Sequence, residues 1–478
     1  MSAPGASGTR GARPPARVDR SRLLAWEVLR AVDERGAYAN LVLPRLLADS
    51  GLTSRDRAFT TELAYGALRA QGTLDGVLDT ATSRPVHDID PPVRDALRLG
   101  AYQLLRTRVP ARAAVASTVD LVRATSGERP VRFANAVLRR VAARISETGG
   151  DLAVLLGAPR FTADPIGHLA VVTTHPRWIV EAVAEAMGDD LDQTRAALAA
   201  DDERPAVHLV ARPGRVERDD LLAEAARAGL TARPGRYSPY AARLEGGDPA
   251  RLPSVVEGAA AVQDEGSQLV ALALAATPTV GPDLGLTVDL CAGPGGKAAL
   301  LAGLLTGPGP GGGRLIALEP RMARAALVAR SLAGERAAWV VRGDGRAAPL
   351  APGSADRVLV DAPCTGLGAL RRRPESRWRR TPGDLAALTP LQSALLVAAL
   401  DLVRPGGVVA YATCSPHPAE TTEVVRQVAG QRPDVSLLDA RRALPDVDEA
   451  GPGPFVQLWP HRHGTDAMFL ALLRRAGA

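Results

Sequence analysis

Three cysteines stand at positions where a folded chain could bring their thiols together. Cys364 and Cys414 each follow an apolar run with strand character, and Cys291 opens a glycine-rich loop, 291–297, directly after another such run. In an open α/β sheet, ligands bind at the loops that follow the carboxyl ends of the strands. We therefore expect all three thiols to face one cleft.

The cysteine spacing also excludes other kinds of site. It fits neither a paired zinc ribbon nor a Cys-x-x-Cys redox site. Three cysteines in 478 residues give no disulfide framework, and unpaired thiols are typical of a reducing cytosol. We expect no metal site and a cytoplasmic protein.

The glycine-rich loop is a candidate ligand cradle. Its glycines let backbone amides approach a ligand closely, and a helix that begins near its end would point its positive pole at the same space. The loop lacks the spacing of a Walker loop and of Gly-x-Gly-x-x-Gly, which disfavours a nucleoside triphosphate or a dinucleotide. The alternative is an ordinary turn between a strand and a helix. The loop consists of Cys291, Ala292, Gly293, Pro294, Gly295, Gly296 and Lys297.

Acidic residues end three successive predicted strands. Asp289 precedes the loop, Glu319 ends the second strand and Asp344 follows the third. Glu319 is well placed to bind the two hydroxyls of a ribose, and Asp344 to bind an adenine amino group. Each acid alone is more often a helix cap or a solvated loop residue, but three in register favour a ligand site. The run 307–313 is predicted to be a flexible glycine-rich spacer that lengthens the gap before Glu319.

Hydrophobic periodicity divides the chain into five parts. Residues 1–20 read as a disordered basic tail. Residues 21–146 show helical spacing throughout and predict an all-α domain. Residues 147–163 are rich in glycine and proline and read as a linker. Residues 164–252 suggest a small α+β subdomain. Residues 253–478 alternate helices with five strand-like apolar runs, which predicts a doubly wound, largely parallel sheet. The runs are 287–290, 314–318, 338–341, 357–360 and 408–412.

Charge and hydropathy limit the partners. The net charge of +6 and the pI near 9.7 mildly favour a polyanionic partner such as nucleic acid. The basic tail has no apolar core segment, so it does not read as a signal peptide. No stretch is expected to be long and apolar enough to span a bilayer.

Three motifs resemble those of a known family. Segments 289–297, 361–368 and 411–415 closely resemble the motifs of the RNA cytosine-5 methyltransferases, and the likeness covers roughly residues 165–475. The helical first domain, which ends in 133–140, resembles NusB-type RNA-binding domains. The combination is similar to the bacterial Sun/Fmu-type (RsmB-like) enzymes that methylate a cytosine of 16S ribosomal RNA.

The resemblance implies a fold, a cofactor and a partner. The fold would be an all-α NusB-like N-terminal domain plus an α/β Rossmann-like class I methyltransferase domain with a small α+β subdomain that binds RNA. S-adenosyl-L-methionine would be the methyl donor, bound by the loop 291–297 with Glu319, Asp344 and Asp361. The partner would be 16S ribosomal RNA, unassembled or in a partly assembled small subunit.

The resemblance also implies the catalytic roles. Cys414 would be the nucleophile that adds to carbon 6 of cytosine, and Cys364 would assist release of the product. Asp361 would hold the ring at nitrogen 3 and at its amino group. Because a free thiol titrates near ~8.5, the nucleophile needs an electropositive environment, for which Lys297 and the segment 371–373 are candidates.

The arginine-rich run 371–380 follows the Cys364 loop. Such a run is usually a solvated face, but its position favours contact with RNA phosphates, with Trp378 stacked on a base. The chain departs from the family pattern at four positions: Val210 replaces an expected arginine, Gly293 a usual alanine, Thr421 a common asparagine and Ala467 a glycine.

Two other functions compete with the enzyme. One is a non-catalytic RNA-binding or ribosome-assembly factor, which the intact Cys364, Cys414, Asp361 and Lys297 disfavour. The other is a DNA cytosine methyltransferase, in which the cysteine after proline, here Cys364, would be the nucleophile. The Thr413-Cys414 motif and the NusB-like domain disfavour it.

Overall fold

The structure, a computed structural model, describes residues 18–305 and 312–477. It divides into two compact units, of which the first comprises Met1–His175 with Arg373–Glu375 and the second the remainder. Most of the predicted basic tail and most of the predicted glycine-rich spacer lie outside the described residues.

The first unit is helical throughout its described part. Its helices bury residues spaced three or four apart, such as Leu24 and Val28, in one apolar core. Local signals set the ends of the first helix: Asp19 accepts a hydrogen bond from the Arg22 amide at 2.9 Å, and Gly36 ends it with φ of 61°. This confirms the predicted all-α domain. The helices are α1 Arg20–Arg35, α2 Ala39–Ala48, α3 Ser54–Arg69, α4 Gln71–Asp79, α5 Pro91–Arg106, α6 Ala111–Ser126, α7 Val131–Thr148, α8 Leu152–Leu155 and α9 Pro165–Val172.

The segment expected as a linker carries structure of its own. Asp151 caps the short helix α8 through the amides of Ala153 and Val154, and Leu155 is buried in the core of the first unit. Helix α9 also belongs to this unit, which extends to His175.

The second unit begins with a small antiparallel sheet in the order β2-β3-β1-β4. The sheet includes β4, which lies beyond position 252. An apolar core under it contains Leu209, Leu221 and Leu244. The elements are α10 Arg177–Ala186, α11 Leu191–Ala200, β1 Val207–Ala211, α12 Arg218–Arg227, β2 Ala232–Pro234, β3 Ala241–Leu244, α13 Pro253–Val256 and β4 Ala260–Val262.

A large sheet follows in the order β10-β12-β9-β8-β5-β6-β7, with β11 paired to β12. Strands β7, β6, β5, β8 and β9 are parallel, and β12 adds antiparallel to β9. This confirms the predicted Rossmann-like domain with its five parallel strands. The strands are β5 Leu286–Asp289, β6 Arg314–Leu318, β7 Ala338–Val341, β8 Ala355–Asp361, β9 Val403–Thr413, β10 Val435–Leu438, β11 Val456–Gln457 and β12 Phe469–Arg475.

Apolar cores that contain helix residues contact both faces of this sheet. Strands covered on both faces become continuous apolar runs, as at Val358, Leu359 and Val360, which have no exposed surface. Leu359 packs in one core and its two neighbours in another. The helices are α14 Glu265–Ala276, α15 Gly296–Leu305, α16 Met322–Ser331, α17 Ser376–Arg379, α18 Pro382–Leu402, α19 Thr422–Gly430 and α20 Pro460–His463.

One helix corrects the expectation about membrane-spanning segments. Among the described residues, α18 with its 21 residues is long and apolar enough to cross a bilayer by length and composition. However, Leu395, Leu396 and Ala399 of this helix are buried in the core beside the sheet. Core helices of globular proteins pass the same test, so the helix is weak evidence for a membrane.

Candidate active site

Strands β8 and β9 place the two motif thiols side by side. They are parallel neighbours with Asp361 opposite Ala412, so the loops that leave their carboxyl ends start at the same edge. The Sγ atoms of Cys364 and Cys414 lie 3.5 Å apart. The Gly368 amide donates to the Cys414 carbonyl at 2.9 Å, which ties the two loops together through the backbone.

Lys297 and Asp361 form an ion pair next to these thiols. The Lys297 Nζ lies 2.9 Å from the Asp361 Oδ2, and the lysine side chain is only 11% exposed. Burial lowers the pKa of Lys297, but Asp361 and the neighbouring Cys414 outweigh it, so the pKa is raised. The site therefore holds a fixed ammonium charge beside Cys414.

Lys297 is also the sole lysine in the sequence. The chain has 58 basic residues, and because only one is lysine, the other 57 are arginine. An ammonium is a compact point charge with three donors, whereas a guanidinium is a broad planar fork. The chain thus has arginine at every other basic position and lysine at the one position where the cation lies near both the Asp361 carboxylate and the Cys414 thiol.

The two thiols have different surroundings. The pKa of Cys364 is raised well above its usual value by its hydrogen bond to Cys414, by burial and by the negative charge of Glu420. The electrostatic environment therefore favours the protonated thiol at Cys364, while the Lys297 ammonium lies beside Cys414.

The glycine-rich loop leaves β5 at Asp289. The Asp289 side chain is buried, and its Oδ1 accepts a hydrogen bond from the Cys291 amide at 3.1 Å, while its Oδ2 has no partner among the described residues. Burial and the nearby Asp361 raise the pKa of Asp289 to about 7. Burial, with Asp289 as the next cause, also raises the pKa of the Cys291 thiol.

Glu319 and Gly293 face each other across this loop. Glu319 follows β6, is buried, and accepts a hydrogen bond from the Arg321 amide at 3.0 Å. Arg324 on α16 lies 3.3 Å from the Glu319 carboxylate and donates to the Gly293 carbonyl at 2.5 Å. A Cβ at position 293 would collide with the Glu319 carboxylate and with Arg324. In this structure the departure from the usual alanine therefore has a steric reason.

Asp344 follows β7 but is more exposed than Glu319. Its side chain is 43% exposed and forms an ion pair with Arg346, and its Oδ1 accepts from the Arg346 amide at 2.9 Å. These hydrogen bonds lower the pKa of Asp344. In the described structure Asp344 caps the turn Gly345–Ala347.

Three of the six arginines in the run 371–380 pair with carboxylates inside the protein, so the predicted contact with RNA gains no support at these three, whereas Arg373 is exposed. Arg371 bonds to Asp466 at 2.9 Å, and Arg372 bonds to Asp264 at 2.7 Å. Arg377 has no exposed surface and bonds to Asp202 at 2.9 Å. These cations are paired with carboxylates, so they fix loops of the second unit instead of presenting charge to a phosphate backbone.

The other departures from the family pattern lie at structural positions. Val210 is buried in β1. Thr421 donates through its hydroxyl to the His417 carbonyl at 2.9 Å. Ala467 donates its amide to the Gly368 carbonyl at 2.8 Å, and a Cβ on Gly368 would collide with the Ala467 carbonyl. Glycine is therefore required at 368.

Sequence reasoning did not assign a role to Arg324 or Glu420 and named Asp289 only as an acid before the loop. Arg324 has no distinguishing signal among so many arginines. Glu420 does not follow a predicted strand, so nothing local distinguishes it, although it is a fully buried carboxylate. Within 18–305 and 312–477, no group of three or more His, Cys, Asp or Glu side chains is arranged to hold a metal ion.

Comparison with protein families matches three models along the chain. The model of the 16S rRNA methyltransferase RsmB/F matches residues 282–474. The NusB family model matches residues 19–143. The model of the RsmF/B-like ferredoxin-like domain matches residues 175–250. These matches agree with the helical first unit, the small antiparallel sheet and the large sheet.

Two curated relatives match over nearly their full length. The chain is 54% identical over 460 residues to a Mycobacterium tuberculosis protein that bears the name methyltransferase, and the match covers 96% of this chain and 97% of that protein. It is 34% identical over 425 residues to the ribosomal RNA small subunit methyltransferase B of Pseudomonas putida, covering 87% and 91%.

Solved structures support the fold. The crystal structure of PH0851 superposes with a TM-score of 0.78 at 22% identity, covering 98% of this chain and 100% of that one. The structure of NSun6 from Pyrococcus horikoshii with SFG has a TM-score of 0.52 at 19% identity, covering 63% of this chain and 99% of that one.

Proposed function

The chain belongs to the RsmB/F family of 16S rRNA methyltransferases, and from this premise we propose that it forms 5-methylcytosine in 16S ribosomal RNA through a covalent cysteine adduct. The proposal rests most on one observation: the Cys364 and Cys414 thiols lie 3.5 Å apart, beside the Lys297–Asp361 ion pair. A family member that only bound RNA would need neither the second thiol nor the buried lysine.

The reaction needs a nucleophile because carbon 5 of cytosine is itself a poor one. The Cys414 sulfur forms a bond to carbon 6, which makes the ring enamine-like, and carbon 5 then takes the methyl group. A base removes the carbon 5 proton, the bond between sulfur and carbon 6 breaks, and the Cys414 thiolate is regenerated. Asp361 binds the ring at nitrogen 3 and the amino group, which helps the ring to accept electron density.

The surroundings of the thiols support different roles for Cys414 and Cys364. The Lys297 ammonium lies beside Cys414 and favours its thiolate, whereas the pKa of Cys364 is raised. Cys364 in its protonated form does not compete with Cys414 for carbon 6. We assign it to the release step, in which it first gives up its own proton to solvent and then, as a thiolate, accepts the carbon 5 proton while the bond between the Cys414 sulfur and carbon 6 breaks.

S-adenosyl-L-methionine is the proposed methyl donor, and it supplies an electrophilic methyl group on a sulfonium. The loop suits a polar ligand because, at its start, the buried Asp289 Oδ2 has no partner among the described residues. The carboxylates of Glu319 and Asp344 are the candidate partners of the ribose and the adenine, and the loop amides and Asp361 complete the proposed site.

The proposed substrate is 16S ribosomal RNA. Relatives of this chain are named ribosomal RNA small subunit methyltransferase B, and the first unit matches the NusB family. A target cytosine in folded RNA has to leave its stack before the partly buried Cys414 thiol can reach it.

Transfer of tritium from the labelled donor to 16S RNA tests the proposal. The RNA comes from cells that lack the gene, and Cys414→Ala serves as the inactive control. We expect donor-dependent label at one or a few cytosines, which bisulfite sequencing of RNA from cells with and without the gene would locate. Donor binding without transfer to any RNA would instead favour the non-catalytic assembly factor.

A further inference from the structure

Glu420 is a buried carboxylate that the reaction outlined above does not use. It lies in the turn Pro418–Glu420, shortly after Cys414 in the sequence, and its side chain has no exposed surface. Its Oε1 accepts a hydrogen bond from the Thr365 amide at 2.8 Å, and its Oε2 accepts one from the Thr365 hydroxyl. Because Thr365 directly follows Cys364, the carboxylate joins the segments of the two thiols.

Further contacts fix Glu420 from other elements. The Gln392 Nε2 on α18 donates to the Glu420 Oε1 at 3.0 Å and to the Pro363 carbonyl at 2.8 Å. The Tyr411 hydroxyl on β9 donates to the Glu420 carbonyl at 2.8 Å. The residues on both sides of Cys364 are thus held by groups that converge on Glu420.

We propose that Glu420 is a positioning residue that holds the Cys364 segment in register with Cys414 and, as a buried anion, keeps Cys364 in its thiol form. The assignment of Cys414 as nucleophile rests on the proposed function, whereas the hydrogen bonds between Glu420 and the Cys364 segment do not depend on it. A buried negative charge disfavours the thiolate of Cys364, whereas the Lys297 ammonium favours that of Cys414.

The charges around Cys364 agree with this role. The pKa of Cys364 is raised first by its hydrogen bond to Cys414, then by burial, and also by Glu420. Glu420 likewise raises the pKa of Tyr411, for which burial is the main cause. Cys414, Glu420 and Tyr411 interact with Cys364 electrostatically, and the Arg380 Nε donates to the carbonyl of the next residue, Thr365, at 3.0 Å. One step further out, His417 interacts with Glu420, and Lys297 with Cys414 and Asp361.

The first test needs no RNA. In a Cys414→Ala background, iodoacetamide labels Cys364 at a series of pH values, and peptide mass spectrometry measures the labelling rate at that residue. We expect Glu420→Gln to move the midpoint of this profile to lower pH by roughly half a unit or more, because a buried negative charge is removed. The matched control is Glu423→Gln on the exposed residue Glu423, which should leave the midpoint unchanged. An unchanged or higher midpoint in Glu420→Gln would overturn the electrostatic role.

The second test measures register through the reaction. In the otherwise native protein, Glu420→Gln should slow adduct resolution roughly tenfold or more, so that a denaturation-resistant RNA complex accumulates, while donor affinity stays within about twofold. Thr365→Val removes one donor to the carboxylate but keeps its charge. It should slow resolution without moving the alkylation midpoint, and it tests register even if Glu420→Gln does not fold by circular dichroism. If the Glu420→Gln protein folds, a wild-type resolution rate in it would contradict the positioning role. If it does not fold, a wild-type resolution rate in Thr365→Val would do so.

The two tests separate this inference from the proposed function. If the native protein methylates no RNA but the midpoint of Cys364 alkylation still shifts, the proposed function fails and the effect of Glu420 stands. If methylation occurs but neither the midpoint nor the resolution rate changes, the proposed function stands and the role of Glu420 is refuted.

Discussion

The thiol side and the donor side of the candidate site are built differently. The thiol side comprises Cys364, Cys414, Lys297, Asp361 and Glu420. The two thiols contact each other, Lys297 pairs with Asp361, and Glu420, which has no exposed surface, bonds to Thr365 next to Cys364. On the donor side, which comprises residues 291–296 of the loop with Glu319 and Asp344, Glu319 is buried but other charged groups are more open. The Asp344 side chain is 43% exposed, and the side chain of Arg324 against Glu319 is 45% exposed.

This difference shows where the protein fixes geometry in advance. Groups that act on a developing charge are most effective when they are oriented before the reaction. On the thiol side, hydrogen bonds within the protein supply that orientation. On the donor side, a ligand has to supply part of the contacts. Substitutions on the thiol side should therefore lower the rate, and those on the donor side should lower affinity.

The largest effect of this kind is expected at Lys297. Lys297→Met leaves Asp361 without its cation in a buried place and removes the positive charge beside Cys414, so the single-turnover rate should fall roughly 100-fold or more. Lys297→Arg keeps the charge but not its shape, and we expect a large loss there too. Donor affinity, measured by calorimetry, should change much less than the rate. A Lys297→Arg enzyme with the native rate would show that charge alone suffices.

A smaller effect, on affinity, should separate the two donor-side acids. Glu319→Ala removes a buried acceptor and should weaken donor binding by about 1 to 3 kcal/mol. Asp344→Ala removes an exposed acid already paired with Arg346, so we expect at most about 1 kcal/mol. Isothermal titration of both variants gives the comparison. If Asp344→Ala cost more than Glu319→Ala, exposure would not be the factor that ranks these acids.

The smallest effect is a pH dependence of stability from Asp289. The folded chain holds a proton on this residue more tightly than the unfolded chain, because burial raises its pKa to about 7. The free energy of unfolding contributed by this group is therefore highest below pH ~4 and falls as pH rises towards 7. Asp289→Asn should flatten the dependence, so its melting temperature relative to the native chain should rise between pH 5 and pH 8. A difference that is constant with pH would exclude Asp289 as the source.

The sequence predicted the architecture well where patterns are local. The alternation of strand-like and helix-like segments located all five parallel strands. Each strand of a sheet that is covered by helices on both faces is a continuous apolar run, such as 358–360. The antiparallel strands β10 and β12 were missed. Strand β10 was missed because it is short and partly exposed. Its residues Val435, Ser436 and Leu437 therefore form no continuous apolar pattern.

Side-chain pairing could not be predicted in the same way. The run 371–380 looks the same in sequence whether its arginines face solvent or carboxylates, and Asp466, Asp264 and Asp202, which pair with them, are far away in the chain. Glu420 was missed for the same reason, since its bond to Thr365 exists only after β8 and β9 pair. Long-range partners decide whether a charge is buried, and the local sequence contains no record of them.

The central claim is that Cys414 attacks the base and Cys364 releases it, and one gel tests it directly. Labelled 16S RNA and donor are incubated with Cys414→Ala, Cys364→Ala and the double variant, after circular dichroism and donor binding show that each is folded. The account predicts a denaturation-resistant protein–RNA band with Cys364→Ala alone, and none with Cys414→Ala or the double variant. A band with Cys414→Ala that is absent from Cys364→Ala would reverse the roles and contradict the account.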